Sequence, residues 1–269
     1  MRRKELDPAH RRFRTSPKQV PIPELLQQAV DLPLRQDMIT LLQYVQGNKV
    51  VGTQTTGNLP LRAVREVTAR FVNPPKLDHR LGDRVYRLRT EADVWPLYFL
   101  HILAEVGELV LAAPARRWRV TPDGEAFLEM DPFPQVSYLL VTWWHRVNWL
   151  VAYPFEGMGE ELPAGFEGTV LTHLRVLTVG TRIPFEEFAD RIIEETGLTW
   201  AVHFEAERLY LRSSIERMVI DLLASFGAVT CEYREVPLGL GTISELAAFK
   251  VTLLGGVLLA AVAMASQRS

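Results

Sequence analysis

Apolar residues recur along this chain mostly with the spacing of α-helices, and short runs between them suit β-strands. In residues 23–48, Met38, Leu41, Leu42 and Val45 fall on one helical face, and Gly47 with Asn48 predicts the helix end. The same criteria predict the next elements: a strand at 50–53, helices at 61–71 and 90–107, strands at 108–113 and 117–120, and a helix at 121–130.

Cap residues sharpen two of these boundaries. Thr121 followed by Pro122 predicts a helix start, because proline costs nothing at a first helical position. Thr90 and Asp93 have the spacing of a capping box. Pro96 lies inside the pattern that follows, so we expect an irregular or later first turn there.

Four blocks of the first half recur in the same order in the second half, which indicates an internal duplication. The final block aligns Thr121 with Thr252 and Gly124 with Gly255, and the third aligns Gly107 with Gly227. The paired blocks are VGT at 51–53 and 179–181, LPLRAVREVT at 59–68 and IPFEEFADRI at 183–192, LHILAEVGELVL at 100–111 and IDLLASFGAVTC at 220–231, and WRVTPDGEAFLE at 118–129 and FKVTLLGGVLLA at 249–260.

The element order and the corner RWRVTPDGEAFL resemble the winged helix-turn-helix domain. The phrases TGNLPLRAVREV and DVWPLYFLHILAEVGEL are also similar to ones in an uncharacterised group of bacterial winged-helix-like proteins. The resemblance implies a mainly α fold with small β wings. We expect a basic arm at 1–22, a first unit at 23–131, a connecting helix within 132–160, and a second unit at 161–269.

Three further segments stand out by their composition. Residues 1–20 carry seven basic and two acidic side chains, typical of a disordered tail or of an arm that lies on phosphate. Gln135 to Tyr153 predicts a helix whose tryptophans pack the two units together. The apolar stretch 251–265 is too short to span a bilayer, so we expect burial against unit one or a second subunit.

The sequence offers little sign of catalysis. His101 and Glu105 are four residues apart, which more often indicates a local hydrogen bond than a metal site. The single cysteine, Cys231, falls in a predicted strand among apolar residues and excludes an intramolecular disulfide, which suits the cytoplasm. Nucleophile elbows and phosphate-binding loops are absent from the sequence, so we expect no enzyme activity, cofactor or metal.

Charge separates the two halves. Residues 62–89 carry eight basic against three acidic side chains, whereas residues 132–269 carry ten basic against sixteen acidic ones. A mixed surface with local basic clustering is one interpretation; contact of unit one with DNA phosphates is the other. The DNA-binding residues predicted on this second interpretation are Arg62 and Arg65 on the second helix and Arg116, Arg117 and Arg119 in the wing.

The helix at the recognition position argues against reading of base edges. EADVWPLYFLHILAEVG contains no Arg, Lys, Asn or Gln, the residues that usually read bases. The sequence therefore predicts a DNA-binding protein of the winged-helix type, with transcriptional regulation as one role. Its first unit holds phosphates while the second forms a homodimer or binds a protein partner. The alternative is a protein-interaction scaffold that uses the same fold without nucleic acid.

Overall fold

The chain is mainly helical with small antiparallel sheets. The computed structural model describes residues 23–81, 84–152, 161–199, 207–238 and 241–267. The first half (residues 23–131) contains α1 (Pro23–Asp31), α2 (Pro33–Gly47), α3 (Leu61–Thr68), the 3-10 helix Glu91–Asp93, α4 (Trp95–Val106) and α5 (Pro122–Leu128). Its strands are β1 (His79–Leu81), β2 (Arg84–Tyr86), β3 (Val110–Leu111) and β4 (Arg119–Val120).

The second half (residues 161–267) follows two connecting helices, α6 (Pro132–Arg146) and α7 (Trp149–Ala152). Its helices are α8 (Phe166–Val176), α9 (Phe185–Thr196), α10 (Glu207–Ile215), α11 (Asp221–Ser225) and α12 (Leu253–Ser266), and a π-helical turn, Glu216–Ile220, joins α10 to α11. Its strands are β5 (Ile183–Pro184), β6 (Val229–Leu238) and β7 (Gly241–Val251).

The last strand of each half lies between two neighbours. In the second half the strand order is β5-β7-β6, and β6 and β7 form a long hairpin. In the first half β4 pairs with β3, and on its other side Val51 bridges Arg117. In both halves, therefore, a short segment lies beside the last strand, and this segment precedes the middle helices in the chain. The hairpin β6–β7 is the longer of the two.

Thr121 shapes the corner where the last strand of the first half meets α5. Its hydroxyl oxygen accepts the N–H of Gly124 at 2.9 Å, and its own N–H donates to the carbonyl of Leu109 at 3.0 Å. A Cβ on Gly124 would lie 2.2 Å from that carbonyl oxygen. The corner therefore requires glycine at this position as well as the threonine cap, and the predicted helix start is confirmed.

Thr252 repeats the corner at the start of α12. Its hydroxyl oxygen accepts the N–H of Gly255 at 2.8 Å, and its N–H donates to the carbonyl of Ala228 at 3.0 Å. A Cβ on Gly255 would lie 1.9 Å from that oxygen. The alignment of Thr121 with Thr252 and of Gly124 with Gly255 is thus confirmed by equivalent contacts.

These contacts correct the third block of the repeat by one residue. Because Leu109 and Ala228 are equivalent, the residues before them, Glu108 and Gly227, are equivalent too. Both have left-handed backbones, with φ of 59° and 67°. The expected pairing of Gly107 with Gly227 is wrong, since Gly107 has an ordinary helical φ of −74°. Glutamate occupies in the first half a conformation that favours glycine.

The VGT match is also not a structural equivalence. Val51 pairs with Arg117, four residues before Thr121, whereas the residue four before Thr252 is Ala248 and pairs with Pro184. Val51 therefore corresponds to Pro184 and not to the second VGT. The first half carries an additional loop, residues 53–60, between this strand and α3.

Two long predicted helices are each divided. Leu32 adopts an extended backbone before Pro33 and separates α1 from α2, because a residue that precedes proline is pushed out of the helical region. Val147, with ψ of 136°, ends α6, so the helix predicted at 135–153 becomes α6 and α7. Tyr153 lies outside the described residues.

The tryptophans of the connection are buried between the halves, as predicted. Trp143 stacks on Trp149 at 4.6 Å between ring centroids and on Phe226 of the second half at 5.6 Å. Phe226 in turn meets Phe99 of α4 at 6.2 Å. The apolar α12 packs on α6, α8 and α1, so it is covered by both halves. Among the described helices, none has the length and apolar character needed to cross a membrane.

Candidate nucleic-acid interface

The basic end of the hairpin β3–β4 carries three of the predicted site residues, and all three are exposed. The chain alternates here, so that Trp118 is fully buried while Arg117 and Arg119 on either side of it are exposed. Arg116 is exposed in the adjoining turn. Within the ranges that the structure describes, none of these three guanidinium groups forms an ion pair. The hairpin therefore presents three uncompensated positive charges to solvent.

The additional loop 53–60 holds this end of the hairpin in place. Trp118 donates its indole N–H to the carbonyl of Gly57 at 2.9 Å, and Ala115 donates its N–H to the carbonyl of Thr53 at 3.2 Å. Gly57 has a φ of +80°, and a Cβ on it would lie 2.8 Å from the carbonyl carbon of Ala113. Loop and hairpin turn thus form one rigid tip that carries the arginines.

A buried pair lies beneath the tip. One oxygen of Glu91 is 2.9 Å from Nδ1 of His101, and the other accepts the N–H of Leu59 at 2.5 Å. The imidazole of His101 packs on Trp118 with 4.4 Å between ring centroids. Its Nε2 lies 3.6 Å from Glu105, the partner considered from the sequence. Glu91 was not singled out by sequence reasoning, because its contacts are made across the fold.

Arg62 and Arg65, the two predicted site residues on α3, differ from the hairpin arginines because both are paired. Arg62 contacts Glu66 at 2.7 Å, one helical turn away, and Arg65 contacts both oxygens of Asp78 at 3.2 and 3.3 Å. The hydrogen bond from Arg62 lowers the pKa of Glu66, and the one from Arg65 lowers the pKa of Asp78. Their positive charge is therefore partly compensated by neighbouring carboxylates.

A groove of about 270 Å3 connects α3 with the tip. Arg62 lines it together with Val51, which pairs with Arg117, whereas Arg65 is not among its lining residues. Lys49 also lines the groove and adds an exposed cation that sequence reasoning missed, because a single lysine between a helix and a strand carries no pattern. Arg62 and Lys49 therefore extend the basic surface of the hairpin.

Helix α4, which the sequence predicts to lie at the recognition position, is enclosed. Of the twelve residues of α4, only Pro96 and Glu105 are exposed. The helix packs on α2, α6, α7 and β3. It therefore cannot enter a DNA groove without leaving the core, in line with its lack of base-reading side chains.

Several arginines of the acidic second half are paired with carboxylates. Asp190 accepts from Arg212 and Arg208, and the hydrogen bond from Arg212 lowers the pKa of Asp190 to about 2. Each paired cation here has a carboxylate oxygen 2.5 to 2.9 Å away, namely Arg182, Arg208, Arg212, Arg234 and Lys250. Such a surface offers less attraction to phosphate than the hairpin of the first half.

Other chemistry finds little support in the described residues. They contain no group of three or more His, Cys, Asp or Glu side chains that could hold a metal ion. Cys231 is half-buried, and burial raises the pKa of its thiol to about 11, so the reactive thiolate is disfavoured. Comparison with protein families, curated proteins and solved structures finds no match to this chain.

Proposed function

We propose that this chain is a tandem winged-helix protein that binds duplex DNA through its first half, chiefly by phosphate contacts. The hairpin β3–β4 is its wing, with Arg116, Arg117 and Arg119 as the main phosphate ligands. Arg62 and Arg65 add to this surface when DNA competes with their carboxylate partners. In the second half, the wing is the hairpin β6–β7.

The fold assignment is supported by element order and strand order. Each half contains, in this order, a helix, a short extended segment, two helices, a hairpin and a closing helix, and that extended segment lies beside the last strand. The first half adds α1 before these elements and the hairpin β1–β2 between α3 and α4. That order is the one found in winged-helix domains. The repeated threonine corners at Thr121 and Thr252 support a common origin of the two halves.

The three exposed hairpin arginines carry the functional proposal. Guanidinium groups without a carboxylate partner are available to neutralise phosphates and release counterions. Their support by loop 53–60 fixes them on one rigid edge, so less conformational freedom is lost on binding. The acidic excess and the paired arginines of the second half favour DNA binding on the first half alone.

Fluorescence anisotropy of a labelled random duplex, at low and moderate salt, tests the proposal. We expect binding that weakens steeply with salt and is largely lost in Arg116→Glu/Arg117→Glu. The control is Arg175→Glu/Arg191→Glu, which changes the net charge equally at exposed arginines of the second half. Wild-type protein that does not bind at low salt, or equal losses in both variants, would overturn the proposal.

A second candidate function rests on the apolar surface of the second half. Val176 and Val179 are 75% and 44% exposed next to a groove of about 190 Å3 between α8 and α12. Exposed valines beside a groove favour contact with a protein, either a second copy or a different partner. Absence of DNA binding together with a stable complex in sedimentation analysis would favour this scaffold function.

A further inference from the structure

The π-helical turn between α10 and α11 brings two carboxylates together. Asp221 donates its N–H to the carbonyl of Glu216, the bond of a π-helix that spans five residues. In an α-helix these two side chains would point about 140° apart. The wider turn instead places them on one face of the helix. The π-turn thus brings onto one face two like charges that an α-helix would separate.

This pair faces the hairpin β6–β7 and is half-buried. The phenol of Tyr233 donates to a carboxylate oxygen of Asp221 at 3.3 Å, which ties the helix to β6. Burial, with a further contribution from Asp221, raises the pKa of Glu216 to about 7, and burial also raises the pKa of Asp221. The groups that act on the pair are Arg217 from the π-turn, Cys231 and Tyr233 from β6, and Glu245 from β7.

The surrounding cations do not remove this repulsion. Arg234, the cation nearest to Glu245, is shared between Glu245 and Glu186 at 3.0 and 2.9 Å. Arg217 lowers the pKa of Glu216, yet this effect is smaller than that of burial. One proton on the pair removes the repulsion and leaves the Tyr233 hydrogen bond intact. Loss of that proton places two negative charges against a partly desolvated face of the hairpin.

We propose that the turn Glu216–Ile220, which joins α10 to α11, is a proton-controlled joint between this helical segment and the hairpin β6–β7. With one proton on the Glu216–Asp221 pair, the π-turn packs against β6. Without that proton, the helix loosens from the hairpin. The affected contact is the one between Asp221 and Tyr233, and it lies in the half that is not proposed to bind DNA.

Backbone NMR of labelled full-length protein over pH 5 to 9 tests the joint. We expect the amides of residues 215–222 and of Tyr233 to titrate together with a midpoint of about 7. Glu216→Gln, the neutral isostere, abolishes that transition, and Asp221→Asn moves its midpoint to lower pH. Glu187→Gln, a change at an exposed carboxylate of α9, leaves it unaltered.

Either of two results would show that the Glu216–Asp221 pair does not control the turn. One is amides that do not titrate in the wild type. The other is a transition that persists in Glu216→Gln at the wild-type midpoint, which would assign it to another group. A transition with the expected variants but with Tyr233 unmoved would also refute coupling to the hairpin.

Discussion

The Glu91 carboxylate lies 2.9 Å from Nδ1 of His101, with its side chain fully buried. Its second oxygen accepts the N–H of Leu59, so one side chain joins the start of α3 to α4. His101 continues the connection to Trp118 of the basic hairpin. The geometry of the proposed DNA-binding tip thus depends on a pair that is itself almost entirely buried.

Replacing Glu91 with alanine should destabilise the protein strongly. The change leaves a buried histidine nitrogen and a buried N–H without their acceptor, and each such unsatisfied group costs about 1 to 3 kcal/mol. Glu91→Gln keeps an acceptor of the same size and should cost less. Urea denaturation measures both, with the exposed Glu235→Ala as the control. Equal stability of Glu91→Ala and wild type would contradict this account.

The glycine of each corner should not tolerate a side chain. A Cβ on Gly255 would lie 1.9 Å from the carbonyl oxygen of Ala228, which is a backbone atom that cannot turn away. We expect Gly255→Ala to lower the melting temperature substantially and Gly124→Ala to behave similarly. Gly168→Ala is the matched control: nothing lies within 4 Å of its Cβ, so the change should stabilise α8 by up to about 1 kcal/mol. A neutral Gly255→Ala would show that the corner can open.

DNA binding should depend little on sequence. Because α4 is enclosed and the candidate ligands are arginines on a hairpin edge, contacts to base edges are not expected. Competition among duplexes of unrelated sequence should give similar affinities. Replacing Arg116, Arg117 and Arg119 together by alanine should reduce the slope of log K against log salt by about three. A strong preference for one duplex would show that bases are read after all.

Asp190 should contribute stability that acid removes. Its pKa is held at about 2 by the hydrogen bond from Arg212, so the stabilisation is present above the ordinary pKa and is lost as pH falls towards 2. Asp190→Asn should cost about 1 to 2 kcal/mol at neutral pH, since half-exposed Arg208 is screened by water. The difference from wild type, measured by denaturation at several pH values, should shrink below pH 4. A constant difference, or one equal to that of Asp131→Asn, would refute the assignment.

Local signals in the sequence predicted much of the fold. The corners at Thr121 and Thr252 can be predicted because the capping threonine and the glycine whose N–H it accepts lie within four residues. The alignment failed at Glu108 because sequence matching pairs glycine with glycine, while the left-handed position in the first half is occupied by glutamate. The division at Val147 escaped prediction because no proline or glycine marks it.

The candidate site, too, could be predicted only where its contacts are local in the sequence. Arg116, Arg117 and Arg119 are neighbours in sequence, so their clustering follows from the hairpin itself. The pairing of Arg62 with Glu66 is also local, but that of Arg65 with Asp78 spans a loop and cannot be read from spacing. Enclosure of α4 depends on α6 and α7, which lie beyond it in the chain.

Helix α12 follows the last strand of the second half, yet it covers α1 and α6. During synthesis on the ribosome, the first half therefore emerges with part of its apolar surface uncovered, and it stays so until α12 has been made. The first half therefore needs α12 of the second half to complete its packing, even though the two sequences repeat. A first half released early would carry an exposed apolar surface that attracts chaperones and proteases. Only the chain that includes α12 is expected to escape them.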